Sequence, residues 1–325
     1  MNIDISKFKE CKILVVGDLM IDRYLWGTVD RISPEAPVQI VLVKDESVTL
    51  GGAGNVVNNL ICLGARVWVA GVTGNDDNGE LLFQKFNELG VDSQGLVREE
   101  KRQTTVKTRV IAANQHVVRI DRESREKIKP LTENCIKNFL KEKIPDVDLV
   151  IVSDYGKGLV TESLMAEIVQ IVKKYDKRVI VDPKGLDFSK YSGASLITPN
   201  KKEASHVSGI EILDDLTLSS AGLHILEKTA MESLLITCGK DGMVLFEREK
   251  KPYKISAMAR QVFDVSGAGD TVIAVLGLAI ALGISLKSSA AIANTAAGLV
   301  VGKVGTATIS QKELADALRN EDEIT

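Results

Sequence analysis

Six short apolar runs, separated by segments of helical periodicity, restrict the fold more than any other feature of the chain. The runs are rich in β-branched residues and lie at 13–16, 67–72, 149–152, 179–181, 195–198 and 234–237. Nearly continuous apolar runs are typical of parallel strands that helices cover on both faces. The intervening segments with helical spacing include 79–89, 161–175 and 219–229. The alternation predicts an α/β fold with a doubly wound, mostly parallel sheet.

Two regions interrupt this alternation, at about 24–50 and 103–121. Their clearest segments, 38–43 and 105–111, alternate polar and apolar residues. A period of two indicates strands with one exposed face, so we expect a small projecting β-sheet that acts as a lid or an interface. An antiparallel extension at the edge of the main sheet would give the same pattern, and the sequence leaves that alternative open.

Composition limits the partners of such a fold. The 325 residues carry a formal net charge of −3, whereas domains that bind nucleic acid are usually strongly basic. The most apolar segment, 272–284, is shorter than the roughly 20 residues that span a bilayer, which favours a buried helix. The sequence contains no repeat, linker or signal-peptide pattern. We therefore expect one domain over residues 1–325, located in the cytoplasm, without nucleic-acid or membrane partners.

A glycine-rich segment, Asp264-Val265-Ser266-Gly267-Ala268-Gly269-Asp270, precedes the apolar helix. Small residues let backbone N–H groups converge on an anion, and a helix N-terminus adds positive potential. Gly267, Ala268 and Gly269 would then stabilise a transferring phosphoryl group, while Asp270 accepts the proton of an attacking hydroxyl. A simple turn with Asp270 as helix N-cap explains the same residues, so the segment alone does not decide between the two.

Polar residues also follow the first predicted strand. Asp18 and Asp22 lie just beyond it, and Gly51-Gly52-Ala53-Gly54-Asn55 leads into a helical stretch. Open α/β sheets bind their ligands beyond the carboxyl ends of the strands. We therefore expect Asp18, Asp22 and Asn55, with Gly51 and Gly52 beside them, to contact the hydroxyl groups of a sugar. Each polar residue also has a simpler explanation as a turn or cap residue.

Two of these segments, Gly51-Gly52-x-x-Asn55 and Asp264-x-x-Gly267-Ala268-Gly269-Asp270, together resemble the signatures of ribokinase-like (PfkB) carbohydrate kinases. The resemblance covers essentially the whole chain and implies the ribokinase-like fold, with Asp270 as catalytic base. One departure is Ser266, where threonine is commoner, but both residues supply a hydroxyl.

The same resemblance implies a site for ATP and its cations. Asn200-Lys201-Lys202-Glu203 is similar to the family's Asn-x-x-Glu motif, which implies ATP binding with Mg²⁺ held near Glu203 through water. It also implies that Thr237, Gly239 and Asn294 flank the nucleotide. A monovalent cation such as K⁺ is expected beside Asp264 and the loop 302–308.

A closer resemblance is to the heptose-7-phosphate kinases of ADP-heptose synthesis, a branch of this family. It is carried by the segments 16–24, 31–38, 153–158, 181–185 and 301–306. It implies transfer of phosphate from ATP to the C1 hydroxyl of D-glycero-β-D-manno-heptose 7-phosphate, in the synthesis of a lipopolysaccharide core precursor. Some members carry an additional cytidylyltransferase domain. No His-x-Gly-His signature of that domain occurs here, so we expect the kinase step alone.

A substrate that already bears a phosphate requires additional cations. Lys107 and Arg109 alternate along one lid strand and should share a face; arginine offers a forked donor to phosphate and lysine a point charge. Arg119 and Asp121 would equally well pair with each other, and Asp154 and Asp182 are alternative ion-pair partners for the neighbouring lysines. The further candidates for this substrate are Asn114, Gln115, Arg119, Asp154, Lys157 and Lys184.

The sequence also leaves two alternative functions to consider and suggests one form of assembly. A kinase of the same fold for ribose, fructose or a nucleoside is disfavoured by the basic lid and by segment 31–38. A sugar-binding regulator without catalysis is disfavoured by the intact segment 267–270. A homodimer through the lid is expected because exposed strand edges invite pairing.

Overall fold

The computed structural model describes residues 4–113, 115–229, 231–257, 264–303 and 305–322, with side chains to residue 320. Asn114, a candidate substrate contact, and Val304, in the predicted cation loop, lie outside these ranges. The strands in the described ranges are β1 (Lys12–Gly17), β2 (Leu19–Ile32), β3 (Gln39–Gly52), β4 (Arg66–Gly74), β5 (Asp92–Glu99), β6 (Thr105–Ala112), β7 (Gln115–Arg122), β8 (Leu149–Ser153), β9 (Arg178–Asp182), β10 (Leu196–Ile197), β11 (Ser233–Thr237), β12 (Met243–Glu247) and β13 (Tyr253–Ile255). The α-helices are α1 (Ala53–Cys62), α2 (Asp77–Glu88), α3 (Pro130–Lys143), α4 (Glu162–Lys174), α5 (Lys201–Ser208), α6 (Asp215–Thr229), α7 (Ala268–Ala281), α8 (Leu286–Val300) and α9 (Gln311–Asp322).

The main sheet confirms the predicted doubly wound architecture. Its order in the described chain is β13-β12-β11-β10-β9-β8-β1-β4-β5. The strands from β11 to β5 pair in parallel, while β12 and β13 are antiparallel. All six predicted runs lie in this sheet. Successive residues of β1 enter opposite cores, Ile13 and Val15 on one face and Leu14 and Val16 on the other, because side chains alternate along a strand.

A second sheet, ordered β3-β2-β6-β7, forms apart from the main one among the described residues. Its β2–β6 pair is parallel and its other two pairs are antiparallel. The two predicted lid regions therefore form a separate sheet, and the alternative of an edge extension is wrong. Its inner end is buried at Ile21 and Val106, whereas Ile32 and Leu42 at its outer end are exposed. We call these four strands the lid sheet.

The most apolar predicted helix is α7, which begins four residues before the segment 272–284. Every residue from Asp270 to Ile280 is buried, between the main sheet and α8. A Cβ at Gly277 would lie 2.9 Å from Ile151 Cδ1, so a glycine allows the helix to pack close to β8. No helix in the described ranges is long and apolar enough to cross a membrane. The close packing fixes the N-terminus of α7 at the carboxyl edge of the sheet.

Candidate active site

The glycine-rich turn places Asp270 inside the first turn of α7 rather than at its cap. The N-cap is Gly267, with φ of 78°, in the left-handed region that favours glycine. A Cβ at Gly267 would also lie only 2.7 Å from Asn55 Nδ2. The interpretation of Asp270 as helix N-cap is therefore wrong, and Gly267 is the residue that turns the chain into the helix.

Asp270 is buried and accepts one hydrogen bond on each carboxylate oxygen. Tyr155 Oη donates to Oδ1 at 2.7 Å and Asn55 Nδ2 donates to Oδ2 at 2.8 Å. Burial raises the pKa of Asp270 to about 6, although both hydrogen bonds favour the ionised form. Nearby Asp22 raises this pKa further, while Lys107 lowers it. The carboxylate is thus largely ionised at neutral pH and is a suitable general base.

Asn55 is held in one orientation by residues that sequence reasoning missed. Thr271 Oγ1 donates to Asn59 Oδ1 at 3.0 Å, and Asn59 Nδ2 donates to the Asn55 carbonyl at 2.9 Å and to its side-chain oxygen at 3.3 Å. The Asn55 amide nitrogen must then face Asp270. The available signal was the spacing of Asn55 and Asn59, which places both on one face of α1.

Asp18, expected to contact a sugar, also holds the loop after β8 in this structure. Its carboxylate accepts the backbone N–H groups of Tyr155 at 2.9 Å and Lys157 at 3.0 Å. It is 2% exposed. Burial and the charge of Asp154 raise the pKa of Asp18 to about 6, against these backbone hydrogen bonds. The loop after β8 is therefore fixed by Asp18.

Asp22, on β2 of the lid sheet, forms an ion pair with Arg109. The Arg109 guanidinium also lies 5.2 Å from the centre of the Tyr24 ring, a cation–π distance. A Cβ at Gly51 would lie 2.5 Å from Asp22 Oδ2, so the glycine leaves room for this carboxylate. Lys107, two residues before Arg109 on β6, is directly opposite Asp22 in the sheet register. The two predicted cations thus lie at the inner end of the lid sheet.

The remaining lysines do not pair as the alternative interpretation expected. Lys157 pairs with Glu123, and Lys184 Nζ lies 2.6 Å from Glu203 Oε1. Asp154 accepts from Lys190 Nζ at 2.6 Å and from the Tyr191 hydroxyl at 2.7 Å.

Lys157, Lys184 and Asp154 are thus all in ion pairs, as the alternative expected, but the pairing of these lysines with Asp154 and Asp182 is wrong. The fold instead brings partners from distant segments. Asp154 is 3% exposed, and its carboxylate holds Lys190 and Tyr191 beside the site.

The other lid candidates lie on β7, the neighbouring strand, where Arg119 is opposite Arg109 and Asp121 is opposite Lys107. Arg119 Nε and Nη2 donate to the two oxygens of Asp121 at 2.9 and 3.0 Å, as the second interpretation of this pair predicted. The Arg119 side chain is 57% exposed. Gln115 begins β7, a strand that is exposed along its whole length.

The Asn-x-x-Glu motif forms a capping box at the start of α5. The Asn200 side chain accepts from Glu203 N at 2.9 Å, and Glu203 Oε2 accepts from Asn200 N at 3.1 Å. Lys201 and Lys202 occupy the first helical turn. Asn200 is bridged to Thr237 at the end of β11.

The other predicted nucleotide residues flank the same edge of the sheet. Gly239 begins the turn between β11 and β12 with φ of 59°. Asn294 of α8 is buried and donates from Nδ2 to the carbonyl of Ser256 at 2.9 Å. These residues and the capping box thus surround the carboxyl end of β11.

Asp182, at the end of β9, is a site residue that sequence reasoning weighed only as an ion-pair partner. Burial and the charges of Asp270 and Glu203 raise its pKa well above the usual range. No described residue hydrogen-bonds to its side chain. The signal was its position at the carboxyl end of a buried parallel strand. No group of three or more metal-ligating side chains occurs within the described ranges, so a metal here would depend on ligand phosphates and water.

Asp264 connects the glycine-rich turn to the predicted cation loop. Its carboxylate accepts from Ser266 N at 2.9 Å and from Gly305 N at 3.0 Å. Burial opposes ionisation, but these backbone N–H groups hold the pKa of Asp264 below its usual range. Thr306 of the same loop lies within hydrogen-bond distance of Thr49 on β3, with 3.0 Å between the hydroxyl oxygens. The lid sheet, the loop and the turn thus meet at one place.

Comparison with solved structures confirms the predicted fold. A ribokinase from Arabidopsis thaliana, solved with ribose and ATP, is 21% identical with a TM-score of 0.74, and the match covers 95% of this chain and 98% of that one. Phosphofructokinase-2 from Escherichia coli, solved with potassium, is 16% identical with a TM-score of 0.78, covering 96% and 99%. These identities are low, so the likeness establishes the ribokinase-like fold alone.

Sequence comparison establishes the family. The pfkB family carbohydrate kinase profile matches residues 11–313. The chain is 58% identical over 320 residues to the bifunctional protein HldE of Desulfatibacillum aliphaticivorans, covering 98% of this chain and 65% of the relative. It is 50% identical over 305 residues to that of Geobacter sulfurreducens, covering 94% and 62%. The chain thus spans less than two thirds of the length of these relatives, and it belongs to the pfkB family of carbohydrate kinases.

Proposed function

We propose that this kinase transfers the γ-phosphoryl group of ATP to the C1 hydroxyl of D-glycero-β-D-manno-heptose 7-phosphate, forming the 1,7-bisphosphate and ADP for ADP-heptose synthesis. The observation that carries the proposal is the meeting of a buried carboxylate, a glycine-rich helix N-terminus and two lid cations at one edge of the sheet. The similarity to proteins named HldE supports the choice of this sugar.

Asp270 would act as the base in this reaction. The C1 oxygen attacks the γ-phosphorus as its proton passes to Asp270, and the bond from phosphorus to the bridging oxygen breaks to release ADP. The N–H groups of Ala268 and Gly269 at the N-terminus of α7 would stabilise the transferring group. Among the described residues, no atom outside the adjoining residues and the backbone of the same helix lies within 4 Å of a Cβ built on Gly269, which supports space for a phosphoryl group there.

The sugar phosphate would bind between Asp270 and the lid sheet. Asn55 and Asp22 would hold hydroxyl groups near the base, beside Gly51 and Gly52. Lys107 and Arg109, two residues apart on β6, would bind the 7-phosphate. Charge-assisted hydrogen bonds from such donors are the strong ones in phosphate recognition. Lys157 and Lys184 would contact the substrate only after leaving their ion pairs with Glu123 and Glu203.

ATP would lie along the ends of β9 and β11. Asn200, Lys201 and Lys202 at the start of α5 would face its phosphates, with Thr237, Gly239 and Asn294 around the base and ribose. Mg²⁺ in proteins commonly uses one or two carboxylates with phosphate and water oxygens. Asp182 has an unpartnered carboxylate near Glu203 and fits that role, so these two residues would hold the ion, which neutralises phosphate charge when bound. K⁺ would bind beside Asp264.

The assembly and location belong to the same proposal. We infer that residues 1–325 act as one kinase unit, because Leu19, Ile21 and Val106 of the lid sheet share a core cluster with β1. The outer lid presents exposed Ile32, Leu42 and other apolar side chains, which suit a second copy of this chain. Light scattering should then report a dimer. The use of ATP supports a cytoplasmic location for the reaction.

A coupled assay of ADP release over a sugar panel tests the proposal. The panel contains heptose 7-phosphate, unphosphorylated heptose, ribose, fructose, fructose 6-phosphate and a nucleoside. We expect the highest kcat/KM with heptose 7-phosphate. A higher value with another sugar would assign a different kinase activity, and no ADP release with any of them would favour a binding protein.

A further inference from the structure

Tyr155, which follows β8, touches both the lid sheet and the proposed base. Its hydroxyl donates to Asp270 Oδ1 at 2.7 Å. The Nζ atom of Lys107 lies 5.4 Å from the centre of its ring. Its backbone N–H is fixed by Asp18 at 2.9 Å. One half-buried side chain therefore contacts a group that would take the substrate proton and a group that would bind the substrate phosphate.

We propose that Tyr155 is a positioning residue that couples the lid sheet to the base: its ring seats Lys107 while its hydroxyl orients Asp270. The inference rests on the proposed function, in which Asp270 is the base and Lys107 a substrate cation. Since each carboxylate oxygen can accept two hydrogen bonds, Tyr155 and Asn55 fix the carboxylate and leave capacity for the C1 hydroxyl.

The hydroxyl of Tyr155 remains a donor while Asp270 is ionised. Burial and the charge of Asp270 hold the pKa of Tyr155 well above its usual range. A hydrogen bond to an ionised acceptor is stronger than one between neutral groups.

Charged groups of the described residues that act on Asp270 include Asp22 from β2, Lys107 from β6 and Asp182 at the end of β9. The two aspartates oppose ionisation of the base, and Lys107 favours it. The Tyr155 hydroxyl, the Asn55 amide and Lys107 thus all lower the pKa of Asp270 and keep the base ionised.

The ring of Tyr155 has a separate task. Lys107 is largely removed from water, and its burial lowers the pKa of its ammonium group, while Asp22 opposes that shift. An aromatic face within about 6 Å attracts a cation, so the ring both stabilises the charge on Lys107 and sets its position. The two parts of Tyr155 can therefore be removed one at a time.

The kinetic experiment compares Tyr155→Phe, which loses only the hydroxyl, with Tyr155→Leu, which also loses the ring. In ADP release with heptose 7-phosphate, we expect Tyr155→Phe to move the acid limb of the kcat profile upward by about one pH unit. Its KM for the sugar phosphate should stay within about twofold. Tyr155→Leu should show the same shift and raise that KM roughly three- to thirtyfold, with the KM for ATP unchanged.

Tyr191→Phe is the matched control, because it removes a buried hydroxyl from Asp154 instead of Asp270. Its acid limb should coincide with that of the wild type. An unshifted acid limb in Tyr155→Phe, or an unchanged KM for the sugar phosphate in Tyr155→Leu, would overturn the proposal.

A second measurement does not depend on the substrate. Carboxyl ¹³C NMR titration of the wild type and Tyr155→Phe, with Asp270→Asn assigning the resonance, should show a higher pKa for Asp270 in the variant. Equal pKa values in a folded variant would overturn the role of the hydroxyl. If the wild type fails to use heptose 7-phosphate, the proposed function fails, while the titration still decides this contact.

Discussion

Replacing Asp270 by Asn should separate catalysis from stability. The amide keeps the size of the side chain but cannot accept a proton, so kcat should fall by at least about 10²-fold. The local hydrogen bonds can be kept. Asn55 must donate, because Asn59 fixes its amide, so the new side-chain oxygen will face Asn55. The new NH₂ group then faces Tyr155, whose hydroxyl can rotate to accept.

The same variant should be more stable than the wild type at neutral pH. The pKa of Asp270 rises from 3.8 to about 6 on folding, so the folded state binds this proton more tightly than the unfolded state. At a pH below both pKa values, the carboxyl is protonated in both states, so the raised pKa does not change the free energy of unfolding. Between the two pKa values the raised pKa lowers the free energy of unfolding progressively, and above the folded pKa this loss stays at about 3 kcal/mol. Asp270→Asn removes this loss, so its free energy of unfolding at pH 8 should exceed that of the wild type by up to about 3 kcal/mol.

Urea denaturation and ADP release, measured on the same preparations, test both parts. The stability difference should shrink as the pH falls toward 4. Asp316→Asn, at an exposed position on α9, is the control for loss of one carboxylate and should change neither quantity. If folded Asp270→Asn that binds ATP keeps near-normal turnover, Asp270 is not the base.

Three further predictions follow from the same geometry. Lys107→Ala and Arg109→Ala should each weaken binding of heptose 7-phosphate far more than of unphosphorylated heptose, as measured by calorimetry; equal losses would exclude a phosphate contact. Gly267→Ala should lower kcat by at least about tenfold, because the new methyl meets the Asn55 amide at 2.7 Å and φ of 78° is strained; an unaffected kcat would show that the turn can shift freely. For the wild type, kcat should fall as the pH drops below about 6, where Asp270 becomes protonated; a flat profile down to pH 5 would contradict an ionised base.

The sequence was sufficient for the main elements of the fold. Continuous apolar runs predicted the buried strands because burial on both faces leaves little room for polar residues. Period-2 segments predicted the lid strands, although β6 is buried or half-buried along its whole length and β7 is exposed along its whole length. The pattern could not show that β2 and β3 extend to Leu19 and Gly52, since the inner ends of these strands are buried and lose the alternation.

Several residues of the candidate site were selected from the sequence, but the hydrogen bonds between them were not. Asp270 and Asn55 were selected from local glycine-rich segments, yet they meet only because α1 and α7 pack together across 215 residues of sequence. Tyr155 reaches Asp270 across 115 residues, and no local pattern marks that contact. Asp18 was selected because strand ends usually face ligands, but the sequence does not show that backbone N–H groups of the loop after β8 also bind it.

The position of the new phosphate tests the central claim most directly. After incubation of the protein with ATP, Mg²⁺ and heptose 7-phosphate, ³¹P NMR should show ADP and a sugar that retains its 7-phosphate and carries a second phosphate coupled to the anomeric proton. A second phosphate on any other carbon, or ADP release without a bisphosphate, would contradict the proposed transfer to C1.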